Sequence, residues 1–523
     1  MIRSFLTVST GTLASRLLGF VRDSMLAALL GAGPLADAFL LAFQLVNVIR
    51  RLLTEGALNA ALVPAWLRVR EGEGAVIAAA FAGRVLGTVS AALIAAAVLM
   101  GLLMPLLMTA LAPGFAEHPT LQLAVDDARL MLPYLAFAGP VTVTMALMNA
   151  QHRFLLSAFS PLLFNMALIA VMGVLIAWRH DAASAALTIA ATVGVAGLLQ
   201  LSILLLGGGG SAARPVRISF DAEMRAFLGK ASRGMTASSA PQLLVIAGAV
   251  IASASPAAIT WLYFANRLIE LPLGIVGVAM GTVLVPELTR ALRAEDATAL
   301  ARAQSRGLEL AVGFALPATL GLIVLSMPIV RMLFEHGVFT ASDATATAQM
   351  LTWLAFGLPA TVLLKALSPA FFARHDTLTP LLATLKGLAV AIVLAVVLGQ
   401  IFGPNGIAAA IACGAWSSAL ALIRRGAATF GFSIDAAARR RLPRIAVAAL
   451  TMGGLLWLAG PLIPALDAHG LAQAALLMIV ITGAIAIYGL LLGLFDVIGW
   501  DDAVSAFRQT ALPDLREEGP RAI

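Results

Sequence analysis

The feature that most constrains this chain is a series of long apolar runs, of which residues 86–111 and 185–206 are the plainest. Each reaches the ~20 residues a helix needs to cross the hydrocarbon core of a bilayer. Barrel strands alternate over about ten residues instead, so these runs predict helices. Fourteen such windows cover residues 4–30, 37–63, 76–111, 122–150, 157–178, 184–206, 226–254, 257–287, 307–334, 343–372, 381–402, 406–423, 444–464 and 472–495. Pro64, Pro140, Pro272 and Pro359 are candidate kink or end points. Only 12% of the 523 residues are charged, 61% are hydrophobic, and the mean hydropathy is +0.97. A soluble chain of this length would need far more charged surface. The expected fold is therefore an all-α integral membrane bundle.

A net charge of +7 raises the question of nucleic acid, but the basic residues cluster in short connections between apolar runs. Alternate connections are unequal. One set holds 23 Lys and Arg, from Arg3, Arg68 and Arg70 through Arg424, Arg425 and Arg439 to Arg521; the other holds only Arg179. The positive-inside rule then places both termini in the cytoplasm and makes the helix number even. Arg16 and Arg22 interrupt the first apolar stretch, which reads as a spanning helix and not a signal peptide. An internal repeat divides the series. Phe137, Pro140, Thr142, Val143, Pro161, Leu162 and Leu163 recur 219 residues later as Phe356, Pro359, Thr361, Val362, Pro380, Leu381 and Leu382. Met104, Pro105 and Gly114 recur 223 residues later as Met327, Pro328 and Gly337. Two parallel six-helix lobes with two further helices follow, an arrangement that transporters use to enclose a midplane site. The expected divisions are 1–206, a linker at 207–225, 226–430, the extra helices at 431–498 and a cytoplasmic tail at 499–523.

Ten basic residues, Lys365 among them, remain inside the windows. Arg84, Arg129, Arg331 and Lys386 lie near helix ends and can snorkel to the interface. Arg16, Arg22, Arg50, Arg51 and Arg267 lie deeper, with Asp23, Asp37, Glu55 and Glu270 nearby. An arginine at the bilayer centre costs about 3 kcal/mol on the insertion scale, so such a group faces a wet cavity or an acid. Local pairing of Arg51 with Glu55 and of Arg267 with Glu270 is the structural alternative. Even so, arginine exceeds acid in these helices, which suits an anionic ligand and phosphate above all. Gly19, Gly274, Gly277 and Gly281 are candidates for close helix contact or bending. The six histidines show no metal-ligand spacing, and neither a nucleotide-binding loop nor a Gly-x-Ser-x-Gly elbow occurs. No metal or cofactor is predicted. Transport is the favoured class; a drug or cation exporter and a membrane-embedded glycosyl-transferring enzyme are the rivals.

The residues from Ser15-Arg16 through Gly19-Phe20 to Arg22-Asp23, followed by Ala36 to Phe39, Asn47, Arg50-Arg51 and Glu55, resemble the opening signature of the MurJ (MviN) lipid II flippases. Tyr263, Arg267, Pro272, Gly274 and 277–284, then Lys365 and Arg374 to Pro380, extend the likeness. The resemblance implies a V-shaped two-lobe fold within the multidrug/oligosaccharidyl-lipid/polysaccharide exporter superfamily. It implies alternating access in the bacterial inner membrane, with lipid II as cargo, membrane lipid around it and the cell-wall synthesis machinery as a partner. Arginines matching Arg16, Arg22, Arg50 and Arg267 would engage the diphosphate head, with Arg51 supporting them. Asp23, Asp37, Glu55 and Glu270 would act as gating or salt-bridge partners, and the last two helices would hold the lipid tail. Windows 226–254 and 381–402 contain no Asp or Glu, so the sodium site of some relatives is not expected, and coupling to membrane potential is.

Overall fold

A computed structural model of the chain describes residues 2–52, 58–178, 180–209, 213–280, 284–294, 296–374, 376–430, 435–460 and 470–497. Among these residues there is no strand, and every apolar window falls on one helix or on a broken pair. The first window is α1 (Ile2–Leu30). The second holds α2 (Pro34–Leu52) and α3 (Leu58–Glu73), the third α4 (Ala75–Leu102) and α5 (Met104–Leu111), and the fourth α6 (Thr120–Met131) and α7 (Pro133–Ala150). Single helices follow: α8 (Phe154–Ala177), α9 (Ala182–Leu206) and α10 (Ala222–Ala252). Three more windows are broken, giving α11 (Ala258–Ala279) and α12 (Val285–Arg293), α13 (Ala297–Val324) and α14 (Ser326–Phe334), and α15 (Ala341–Ala355) and α16 (Leu358–Phe372). The last four are α17 (Leu378–Phe402), α18 (Pro404–Phe430), α19 (Ala436–Ala459) and α20 (Leu471–Leu494).

Nine described stretches are long and apolar enough to cross a membrane unaided, and a tenth if α15 and α16, bent by 43°, count together. The four windows outside that count are the first, second, seventh and eighth, the opening pair of each half of the repeat. Those windows hold most of the stranded charges, Arg16, Arg22 and Asp23 on α1, Arg50 and Arg51 on α2 and Arg267 on α11. On the other helices, large apolar side chains such as Leu102, Val393, Trp457 and Ile485 are exposed. In water such a surface would aggregate; here it meets lipid.

Proline explains several breaks. Pro105, Pro133, Pro286 and Pro359 each stand in the first turn of a helix, where the missing N–H costs nothing. Pro64, Pro140 and Pro272 instead lie within continuous helices, so of the four candidate end points only Pro359 opens one.

The repeat is visible in the contacts. The third window breaks at Leu103 and the ninth at Leu325, just before Met104-Pro105 and Met327-Pro328. The Thr142 hydroxyl donates to Ala138 O at 2.7 Å, and that of its counterpart Thr361 to Gly357 O at 3.0 Å. Gly337 has a φ of +61°, and a side chain there would run into the Ala28 backbone, to which Val338 N–H donates at 2.9 Å. Gly114, its counterpart, lies against the Ser253 backbone in the same way and donates its N–H to Ser253 Oγ at 3.3 Å. The end of α1 and the end of α10 thus receive equivalent loops, each supplied by the opposite half of the sequence.

The chain divides into two compact units: 1–268 with 333–354 and 377–418, and 269–332 with 355–376 and 419–523. In the first, α1 packs on α8, α2 on α6, and α7 on α4 and α9. In the second, α13 packs on α16 and α19, and α19 on α20; Gly453 lets Leu320 seat against α19. Residues 213–221 lie along α4. Gly83 and Gly87 leave room there for the backbone at Pro215 and Arg217, and Arg217 N–H donates to Gly83 O at 3.3 Å. The Arg84 guanidinium holds Asp221 at 2.8 Å and Glu223 at 2.6 Å. Asp221 also caps α10 by accepting from Met224 N–H at 2.8 Å. That hydrogen bond, with those from Ser219 and Arg84, holds the Asp221 carboxyl below the usual carboxylate range.

Candidate functional site

The stranded charges of α1 and α11 meet in the first unit on one buried carboxylate. Asp23 is 0% exposed. Its Oδ1 accepts from Arg22 Nη2 at 2.6 Å and Nε at 3.0 Å, and its Oδ2 faces Arg267 Nε at 2.8 Å. The Tyr263 hydroxyl, one helical turn before Arg267, donates to Asp23 Oδ1 at 3.3 Å. Arg22 Nη1 donates to Asn165 Oδ1 at 3.0 Å, and Asn165 Nδ2 in turn donates to Ser15 O at 3.0 Å. Both guanidinium planes have aromatic neighbours: Arg22 lies 5.1 Å from the Phe43 ring centroid and Arg267 5.1 Å from that of Phe20. Two guanidinium groups face one carboxylate in a desolvated setting, where charge acts strongly. Each guanidinium carries five N–H donors, more than Asp23 alone can engage.

Gly19 belongs to this cluster. A Cβ at that position would lie 2.5 Å from Arg267 Nη2, so the glycine makes room for the guanidinium. Arg16, Gly19 and Asp23 follow i, i+3, i+7 spacing and share one face of α1; Phe43 and Arg50, seven apart, share one face of α2. Arg22 and Phe43 are about 15 Å along their helices from the turn at 31–33, and Arg16 and Arg50 about 25 Å. Arg16 and Arg50 therefore continue the cationic line away from that turn. Arg16, Arg50 and Arg51 are half-buried, and Arg50 Nε donates to Asn47 Oδ1 at 3.3 Å.

Asp37 has a different neighbour. Its Oδ1 accepts from Thr260 N at 2.8 Å and from Thr260 Oγ1 at 2.6 Å, so it caps the first turn of α11, where the helix dipole favours an anion. Glu55 and Gly281 lie outside the described residues, and Glu270 is half-buried. Arg267 reaches Asp23 on α1, a partner 244 positions away that helical spacing does not indicate. Gly274 and Gly277 are half-buried on α11; a Cβ on Gly277 would lie 4.0 Å from Lys365 Nζ in the second unit, to which both belong. Asn165 was missed by the sequence reading. Its signal was available: it is the only amide in α8, whose other polar side chains are Ser157 and Ser160.

The fold is that of a multi-pass helical membrane protein, and solved transporters share it. A lipid II flippase MurJ solved in an inward closed conformation aligns with a TM-score of 0.78 at 21% identity, covering 95% of this chain and 100% of that one. An inward-facing multidrug resistance MATE family transporter of the MOP superfamily aligns at 0.61 and 15%, covering 84% and 98%. The family model described as lipid II flippase MurJ matches residues 26–473. A probable lipid II flippase MurJ of Rhizobium meliloti (strain 1021) is 36% identical over 502 residues, 93% of this chain and 92% of that protein. The lipid II flippase MurJ of Burkholderia cenocepacia is 30% identical over 432 residues, 81% and 83% of the two chains. The chain belongs to the lipid II flippase MurJ family, as its opening motifs indicated.

Proposed function

We propose that this protein is a lipid II flippase of the bacterial cytoplasmic membrane. It carries the undecaprenyl-diphosphate-linked precursor from the cytoplasmic to the periplasmic leaflet by alternating access, without changing it chemically. The observation that carries the reading is the convergence of Arg22 and Arg267 on Asp23. Two guanidinium groups converge on one carboxylate, and a diphosphate is an anion of the kind arginine grips in bidentate geometry. Arg16, Arg50 and Arg51 extend the cationic path along α1 and α2 for the head group. Asp23 positions the two arginines between rounds; Asp37, Glu55 and Glu270 gate; Gly19, Gly274, Gly277 and Gly281 allow helices to close on one another. Six-helix lobes at 1–206 and 226–430 supply the alternating movement, and α19 and α20 take the lipid tail. Loop charge, 23 basic residues against one, supports cytoplasmic termini.

The test is rescue of a flippase-depleted strain by Arg22→Ala, Arg50→Ala, Arg267→Ala and the triple variant, with membrane levels matched by immunoblot. Loss of rescue is expected for the triple variant and at least a tenfold loss of plating for the Arg22 and Arg267 single variants. Full rescue by all four overturns the reading. Lipid II recovered from proteoliposomes is expected to be chemically unaltered; polymer formed by the purified protein would instead assign it to glycosyl transfer.

A further inference from the structure

Among the described residues three aspartates are almost fully buried: Asp23, Asp37 and Asp127. The first two are satisfied, by arginines and by the first turn of α11. Asp127 is not. It is 1% exposed, and neither carboxyl oxygen has a hydrogen-bond partner among the described residues.

Among the described residues its surroundings offer no compensating charge. On α6 itself, the adjacent Asp126 has the same sign and accepts from Gln122 Nε2 at 2.9 Å, while Arg129 is exposed and donates to Gly101 O at 3.1 Å. The helices packed most closely on α6 are α2, α9, α5 and α7. Neither α5 nor α9 carries an ionisable residue, and α7 carries only Tyr134, whose hydroxyl donates to Gln200 Oε1 at 3.3 Å. On α2, Asp37 is bound to Thr260, and Arg50 and Arg51 stand in the last turn. No ion pair among the described residues reaches Asp127. A bare carboxylate in such a place is disfavoured by several kcal/mol, so buried acids are paired, coordinate a cation or are neutralised.

We propose that Asp127 is a cation-binding site: its carboxyl takes up one small monovalent cation, H+ or Na+, and gives it back when α6 separates from its neighbours. For H+, an O–H bond forms on one carboxyl oxygen as hydronium becomes water; for Na+, the ion exchanges water for carboxyl oxygen. The site is distinct from the Arg22–Asp23–Arg267 cluster and involves no cargo, so it stands or falls apart from the flippase reading. It places a titratable or ion-loaded group in the fourth window, away from windows seven and eleven, which lack acids.

The experiment uses the full chain in lipid nanodiscs and reads the thermal unfolding midpoint. The midpoint is followed against pH in Na+-free buffer, and against NaCl replacing choline chloride at fixed pH. In the wild type it shifts by several degrees with one of the two. Asp127→Asn, which has the shape of the neutral acid, loses that shift, whereas Asp126→Asn keeps it. Dependence on pH alone assigns H+, and dependence on NaCl at fixed pH assigns Na+. If Asp127→Asn gives too little folded protein, Asp127→Ser, smaller and also neutral, takes its place. A wild type that responds to neither variable, or a neutral variant that keeps the full response, overturns the proposal.

Discussion

Asp23 carries two positive partners, and its removal is the most consequential single change in the first unit. Asp23→Asn removes the carboxylate that Arg22 and Arg267 share, and breaking a buried ion pair in this way costs on the order of 3 kcal/mol. The unfolding midpoint of the variant in nanodiscs is expected to fall accordingly; an unchanged midpoint would mean that the carboxylate contributes no net stability. Gly19→Ala tests the same cluster from the other side. The added methyl occupies the place of Arg267 Nη2, so the guanidinium must leave the Phe20 ring or Asp23. Overpacking of this kind costs about 1–3 kcal/mol, and a matched loss of rescue in the depleted strain is expected. What the sequence showed at this scale was residue type: arginines where hydrocarbon should be. It did not show which acid each would meet, because α1 and α11 are joined by more than 200 residues and only packing brings Arg267 onto Asp23.

Among the elements, the segment 213–221 illustrates how a connection becomes part of the fold. It lies in the groove that Gly83 and Gly87 open along α4, and Thr88, Arg84 and the cap at Asp221 hold it. Limited proteolysis in the linker is expected to speed up several-fold in Asp221→Ala and in Gly87→Leu. The acid dependence has a definite sign. The folded Asp221 carboxyl is depressed below its free value, so its contribution is complete above about pH 4, the free aspartate range, and is lost as pH falls through the lower folded value. Protection from an acid-active protease should therefore persist through mildly acidic buffer and fail only below that range. A linker equally sensitive throughout would count against the strap. From the sequence, Arg84 near a helix end read as a snorkelling side chain; the acids that claim it are 137 and 139 positions away. Helix breaks divided similarly. Apolar runs located the windows, but they did not separate a proline that opens a helix, such as Pro359, from one inside a helix, such as Pro140.

For the whole molecule, the orientation is open to direct test. With Cys413 replaced, a cysteine at Glu117 should react with a membrane-impermeant maleimide on intact spheroplasts, and one at Val216 only after permeabilisation. The reverse pattern would invert the topology. The apolar windows, the unequal loop charge, the arginines inside the windows and the recurring motifs are all letters of the sequence. Each follows from local physics: hydrocarbon demands about 20 apolar residues per crossing, loop charge sets orientation, and a repeat is a comparison of letters. The tertiary structure decided which charges meet. It set Asp23 between two arginines, gave Asp37 to the first turn of α11, seated Gly114 and Gly337 on the opposite halves' helices, and left Asp127 buried without a donor. Pairings of that kind span many turns of several helices, and their energy exists only once those helices have packed and excluded water.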